Sequence, residues 1–459
     1  MSRKMLLAVL GFAVFTVLPL LTSSDEVRAQ SAPAVSRNED ALVCPVGPAM
    51  MTGLQVQNVG TSNATIAVNY YNPNGSSAGS DAFMVQGPGS TSTMLPSGFI
   101  GAAVVSSDTG QVAAVVTSYG GDTANSPFSA FRCPQGFPGS GLVGPVEDNK
   151  QPIYNQNVAG SSTEVTNWFY DQSGGQSTKS YTAKLNPNQM KKTNAKKAGG
   201  KKGGTPGTIL SYGDFFRAVY AYTLLASQAS DEPPDHVGGV DFGSAADVGY
   251  LSIPPAAPGR AATGTINILS HFSGDQDVVL TFFDDQGSPT ETITGTLPGQ
   301  GVYQHSATIT STGSSSLIYR GSGLSGNWTH QQSSGDGIRA TLRSGNWPAA
   351  KPTDVLTKRG YAFGASSTQQ AKVSVVLQNV GTKKVKVKVR IFNGDTGKKV
   401  QGGTVNIEAG GVGTLPFKKR ARGENLYAEI SVKGKGGAVV GSLMRSYQGD
   451  VDFYPAVPR

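Results

Sequence analysis

The chain carries only two cysteines, three tryptophans and four histidines in 459 residues, and charged residues make up 15% of it. Two cysteines allow one bridge and no more. The histidines (His236, His271, His305 and His330) lack any close partner spacing, so each reads as a solvated or hydrogen-bonded side chain. Neither H-E-x-x-H nor G-x-x-x-x-G-K followed by Ser or Thr occurs. Beyond the N-terminal region no stretch approaches the roughly 18 apolar residues of a membrane-crossing helix. No catalytic set, metal site or cofactor is therefore expected, and no membrane span in the mature chain.

What the chain has in abundance is glycine, 60 residues of it, together with short runs of Val, Ile, Tyr and Phe. The stretch from Leu54 to Gly75 contains Gln57-Asn58-Val59-Gly60-Thr61, and Gln378-Asn379-Val380-Gly381-Thr382 repeats it near the C-terminus. After each copy apolar residues alternate with polar ones: Ile66, Val68 and Tyr70, then Val387, Val389 and Ile391. Each copy closes on an aromatic, an Asn and a Gly turn. Alternation of period two between Asn/Gly clusters predicts strands joined by tight turns. Weaker copies follow Gln156-Asn157-Val158 and Ser270-His271, closing at Tyr170 and Phe283. The closing aromatics, Tyr71, Tyr170, Phe283 and Phe392, stand about 100 residues apart, the size of a small β-sandwich.

These motifs resemble the tandem Ig-like modules of exported bacterial surface proteins. The resemblance covers about four-fifths of the chain and implies architecture and location, with no catalytic positions. The expected fold is all-β: an extended array of about four Ig-like antiparallel β-sandwich modules. Residues 1–29 read as a signal peptide, because Arg3 and Lys4 precede an apolar run and Val27-Arg28-Ala29 is a small-x-Ala site. Residues 30–43 form a polar leader. The modules are 44–147, 148–257, 258–350 and a basic 351–459. The second carries a Lys/Gly-rich segment, 191–207, expected to be a mobile loop. Pro-and-aromatic connectors, from Pro127-Phe128 to the terminal Phe453–Pro458, are expected between modules.

Cys44 and Cys133 bracket the first module and are expected to pair in an exported chain. A loop of about 90 residues would stabilise it by about 4 kcal/mol in the chain-entropy view. The Gln-Asn head reads as structural: the Asn shapes a turn and the Gln amide bonds nearby backbone. Asp275 with Asp277, and Asp284 with Asp285, read as hairpin residues before calcium ligands. Trp328 is the sugar-stacking candidate, because it sits in a polar run, whereas Trp168 reads as core.

Charge is uneven. Residues 360–459 hold 16 Lys/Arg against six Asp/Glu, whereas residues 44–147 hold one Arg against four acids. Lys384, Lys386, Lys388 and Arg390 fall on one strand face, and Lys418, Lys419, Arg420 and Arg422 form a second cluster. These eight are the polyanion-binding candidates, for an anionic cell-wall or matrix polysaccharide ahead of nucleic acid. The opposite charges of the two ends also point to head-to-tail self-association. The function expected is that of an exported surface or extracellular-matrix protein, structural or adhesive. The alternatives are a polysaccharide- or polyanion-binding protein, or a non-catalytic accessory to an exported hydrolase.

Overall fold

The computed structural model describes residues 41–134, 137–138, 140–148, 150–199, 206–213, 218–225, 233–241, 245–256, 262–309, 314–332, 342–423, 425–448 and 450–459. The expected signal peptide and residues 30–40 of the leader lie outside the described residues. The fold is all-β, built from antiparallel sheets.

The first unit has eight strands: β1 (Leu42–Val46), β2 (Met51–Asn58), β3 (Ala64–Tyr71), β4 (Ser77–Val85), β5 (Gly89–Met94), β6 (Gly101–Ser107), β7 (Val112–Tyr119) and β8 (Phe128–Arg132). One sheet runs β1-β6-β3-β4 and the other β5-β2-β7-β8. In β3 the apolar Ala64, Ile66, Val68 and Tyr70 are buried between the sheets, and the residues between them face outward, as the two-residue pleat requires. Cys44 of β1 and Cys133 just after β8 are bridged, with Cα atoms 4.7 Å apart. The bond joins the two sheets inside the apolar cluster of this unit.

The same strand order returns three times. In the second unit Gln176–Leu185, Thr163–Asp171, Gly207–Gly213 and Ser140–Val146 make one sheet, and Met190–Asn194, Pro152–Asn157, Ala218–Leu225 and Asp235–Gly238 the other. The fourth unit repeats it with strands between Arg359 and Pro455. In the third, the equivalents of β6 and β7 are one 18-residue strand, Ser315–Gln332, that passes from one sheet to the other. Gly323, at φ +59°, sits in this strand where its pairing partners change. Ser140–Val146 and Ala246–Ile253, which the sequence boundaries put in the preceding modules, pair within the second and third units instead.

The head asparagine explains the repeat. Asn58 Nδ2 donates to the carbonyls of Ser62 (2.8 Å) and Val85 (3.0 Å), and its Oδ1 accepts from Gly60 N at 2.9 Å. Asn157 and Asn379 make the same set, to Ser161, Leu185 and Ala159 and to Lys383, Ile407 and Gly381. One side chain thus ties the β2–β3 turn to the end of β4, bonding backbone of both through its amide. Ser270 replaces it in the third unit, where its hydroxyl meets Phe272 N at 3.3 Å. The Gln57 and Gln156 amides donate to backbone carbonyls, as expected of the head, whereas the buried Gln378 amide has no hydrogen-bond partner among the described residues.

That β4–β5 corner receives the preceding unit. The β3–β4 hairpin of the first unit lies on Pro187–Gln189, with Met190 N donating to Pro73 O at 2.9 Å. The second unit's hairpin lies on Pro298–Gly301, and Thr208 Oγ1 donates to Gln300 O at 2.8 Å. The third lies on Ala409–Gly411, where Val412 N donates to Asp285 O at 3.1 Å. Gly75, Gly174 and Gly287 occupy the same hairpin position at φ +78° to +88°, and a Cβ on any of them would collide with the next unit's backbone. Glycine there serves both the turn and the joint.

The series closes on itself, so the extended array expected from the sequence is corrected. Gly394 in the fourth unit's hairpin lies against Ser90 of the first, and Asn425 bonds Ser90 and Gln55. The fourth unit and the first share an apolar cluster. Arg445, fully buried, places its guanidinium 3.8 Å over Phe128 and 5.3 Å over Tyr119 and donates to Ala124 O. The four strands equivalent to β8 meet around a hub: β8, Asp235–Gly238, Leu342–Pro348 and Asp450–Pro455, each touching the next in turn. The terminal Phe453–Pro458, expected as a connector, lies at this hub and in the sheet edge beside Gly360-Tyr361. Its neighbours Asp450 and Asp452 accept from Phe128 N (2.8 Å) and Ala130 N (2.6 Å). The complementary ends that pointed to head-to-tail association meet within one chain.

The Lys/Gly-rich segment is also corrected over its described part. Lys191–Asn194 is strand, and Ala195–Gly199 is a helical turn with Ala195 and Ala198 packed in an apolar cluster that includes Phe169. Small apolar residues between the lysines supply a buried side that lysine counting hides. Residues 200–205 of the segment lie outside the described residues.

Candidate binding surface

The outer face of β3 and its three equivalents can be compared position by position, counting back from the closing aromatic. Six, four and two residues before it stand Thr65, Ala67 and Asn69 in the first unit, then Glu164, Thr166 and Trp168, then Asp277, Val279 and Thr281. The fourth unit has Lys386, Lys388 and Arg390. All belong to strands whose alternate residues fill the core. In the second unit Glu164 faces Lys184 across the strands, and Thr166 bonds Thr182 at 2.8 Å.

The structure sorts the eight basic candidates into three groups. Lys384 pairs with Glu408 at 2.5 Å, and Arg390 with Glu429 at 3.5 Å. Lys386 and Lys388 are exposed, and among the described residues no carboxylate lies within ion-pair reach of either. Lys418, Lys419, Arg420 and Arg422 are exposed in the turn after Val412–Pro416, where Lys418 N donates to the Gln401 side chain. Gln401 pairs with Ile391, five residues and about 17 Å along the strand from Lys386.

Register adds three cations that sequence spacing could not reveal. Lys433 lies directly opposite Lys386 on the neighbouring strand. Arg359 is opposite Ser431, and its guanidinium stands 3.9 Å from Glu429. Lys399 lies over Gly402, next to Arg390. The far end of this sheet face is aromatic and closed: Phe392 and Tyr427 stack at 5.2 Å, and Tyr427 donates to Pro88 O of the first unit at 3.2 Å. Burial, together with Tyr361 and Glu429, pushes the Tyr427 phenol up to about 12.

Trp328 is not a stacking platform. It is fully buried against Gly264 in the third unit's core. Its polar neighbours alternate with it on a strand that is buried on both faces, which composition alone cannot show. Trp168, expected in the core, is half-buried on the outer face, and Phe169 takes the core place. Gly75-Ser76-Ser77-Ala78-Gly79 has the letters of a nucleophile elbow but joins two antiparallel strands, not a strand and a helix. Asp284 bonds Gln286 N and Ser288 N, as a hairpin residue does.

The hub holds an open cavity of about 1180 Å³, lined among others by Arg132, Tyr220, His236, Asn327, Asp354 and Asp452. Arg132 and Asp354 approach to 3.5 Å across the first and fourth units. Burial, then the charge of Asp235, holds the Asp452 carboxyl well above the usual range, against the opposing pull of Ala130 N, Phe453 N and Arg445. Burial lowers His236, His271 and His330 to about 4, with Lys351 adding to the effect at His271, so all three are neutral near pH 7. No group of three or more His, Cys, Asp or Glu among the described residues is placed to hold a metal ion.

No protein-family model matches the chain, and no curated protein does. Among solved structures, a β-glucuronidase of Bacteroides uniformis is 12% identical, with 50% of this chain covered at a TM-score of 0.13. The chain spans 28% of that enzyme's length. The triple jelly roll of an archaeal virus turret assembly is 12% identical over 83% of this chain and 90% of the other, with a TM-score of 0.17. Similarity at this level carries no argument about fold or function.

Proposed function

We propose that the chain is an exported bacterial surface or extracellular-matrix protein with a structural or adhesive role and no catalysis. The observation that carries this reading is the Cys44–Cys133 bridge buried across the first unit, because such bonds persist in oxidising, extracytoplasmic compartments. The Ig-like resemblance and the basic-then-apolar N-terminal segment agree with it. Four units locked corner to corner suit a load-bearing or display role. Cell fractionation with surface protease accessibility tests the reading. Exported material is expected to begin at Gln30 and to carry the bridge. A chain retained in the cytoplasm with two free thiols overturns it.

The second reading, binding of an anionic polymer, is favoured by the exposed Lys386, Lys388 and Lys433 on the fourth unit. Either reading leaves the hub as a structural centre.

A further inference from the structure

We propose that the open half of the fourth unit's outer sheet face is a docking surface for a linear anionic polysaccharide bearing carboxylate or sulfate groups. The inference deepens the second reading above. Its centre is Lys386, Lys388 and Lys433, with Thr404 and Asn406 beside them on the edge strand.

Three observations converge on this face. The first is internal comparison. Four strands of one topology present the same outward positions, and only the fourth places cations at all three. The fold therefore does not require them. The second is cross-strand pairing. Lys386 and Lys433 are directly opposed, an arrangement that is destabilising by itself. Among the described residues no carboxylate reaches either, whereas Lys384, Arg390 and Arg359 each approach a glutamate. An anion from outside the chain is the missing partner. The third is shape. The flanking residues Thr404 and Asn406 are small, exposed and uncharged, so a polymer can lie along the strands and bond their side chains.

The same geometry separates polysaccharide from nucleic acid. Binding of single strands without sequence preference relies on aromatic faces beside the cations. Here the aromatic end of the face, Phe392 and Tyr427, is closed by the first unit. The open half carries lysines, which act as point charges suited to repeating anions rather than as planar forks.

The test uses the full disulfide-bonded chain and four probes: polygalacturonate, heparin, neutral dextran and a single-stranded DNA oligonucleotide. Polygalacturonate and heparin separate carboxylate from sulfate recognition. Binding to at least one of them is expected at about 50 mM salt, falling steeply by about 200 mM, with none to dextran. The triple variant Lys386→Gln, Lys388→Gln, Lys433→Gln is expected to lose affinity at least about tenfold with an unchanged or raised Tm. The variant Lys179→Gln, Lys184→Gln, Lys196→Gln removes equal charge from the second unit and is expected to stay within about twofold. Equal loss in both variants, no loss in the first, no polysaccharide binding at low salt, or tighter binding of DNA each overturns the proposal. Export plays no part in this assay. A failure here leaves the location reading standing, and a retained chain that binds leaves this inference standing.

Discussion

Asn58 and Asn379 do the same work in the first and fourth units, while Thr65, Ala67 and Asn69 of the one stand where Lys386, Lys388 and Arg390 stand in the other. The buried asparagine is fixed by its three or four backbone partners, so it recurs in three of the four units, and Ser270 stands in its place in the third. The outward positions touch no core and are free to differ. A tandem chain thus acts as its own control: what all units share serves the fold, and what one unit alone carries needs another reason. The two units also meet, through Arg445 and Asn425. Their joint departs from the other three in using these two side chains.

Acid should separate the end units from the middle ones most strongly. The four histidines lie in the second and third units. His236, His271 and His330 are held near 4 when folded and return to about 6.5 when unfolded. The unfolded chain therefore takes up protons first, and stability is lost as pH falls from 6.5 towards 4. The loss is on the order of 2 kcal/mol per imidazole at pH 5. Asp452 works the other way, since its raised value favours the fold at low pH. Hydrogen exchange at pH 5 against pH 7.5 should show protection lost in residues 218–238 and 262–332 before 42–134. Uniform loss would contradict the assignment.

Asn58→Ala and Asn379→Ala test the shared half of the comparison. Each removes at least three hydrogen bonds to backbone and should cost about 2–4 kcal/mol in urea unfolding. A large effect in one unit with less than about 1 kcal/mol in the other would break the equivalence. Arg445→Met tests the joint between them. It keeps the volume and removes the donors to Ala124 and Ser366, so a loss of about 2 kcal/mol is expected. Exposure of residues 112–132 and 439–455 to protease should rise first. Lys433→Gln tests the face that differs. Relief of the Lys386–Lys433 opposition should stabilise the chain by roughly 0.2–1 kcal/mol, a gain that salt erases.

Much of the repeat was legible in the sequence because both its signals are local. Alternation at Ile66, Val68 and Tyr70 and the Gly75 turn depend on neighbours a few residues away. The disulfide was legible because only one pairing exists. What escaped is set by distant residues. Trp328 looked polar in context because strand Ser315–Gln332 buries both of its faces, and nothing in residues 323–330 says so. Lys433 joined the basic face only through register with Lys386. Ring closure escaped for the same reason: Asn425 and Arg445 carry no local signature, and their partners lie 335 and 321 residues away.

Closure of the four units into one body is the central claim, and small-angle X-ray scattering on residues 30–459 tests it most directly. A compact body of about 420 residues has a radius of gyration of about 22 Å, and a ring with an open hub sits slightly above that. The closed arrangement predicts about 22–26 Å, unchanged between low and high salt because the joint is packed side chains and buried hydrogen bonds. A value roughly twice as large, with the scattering profile of a rod, would contradict it.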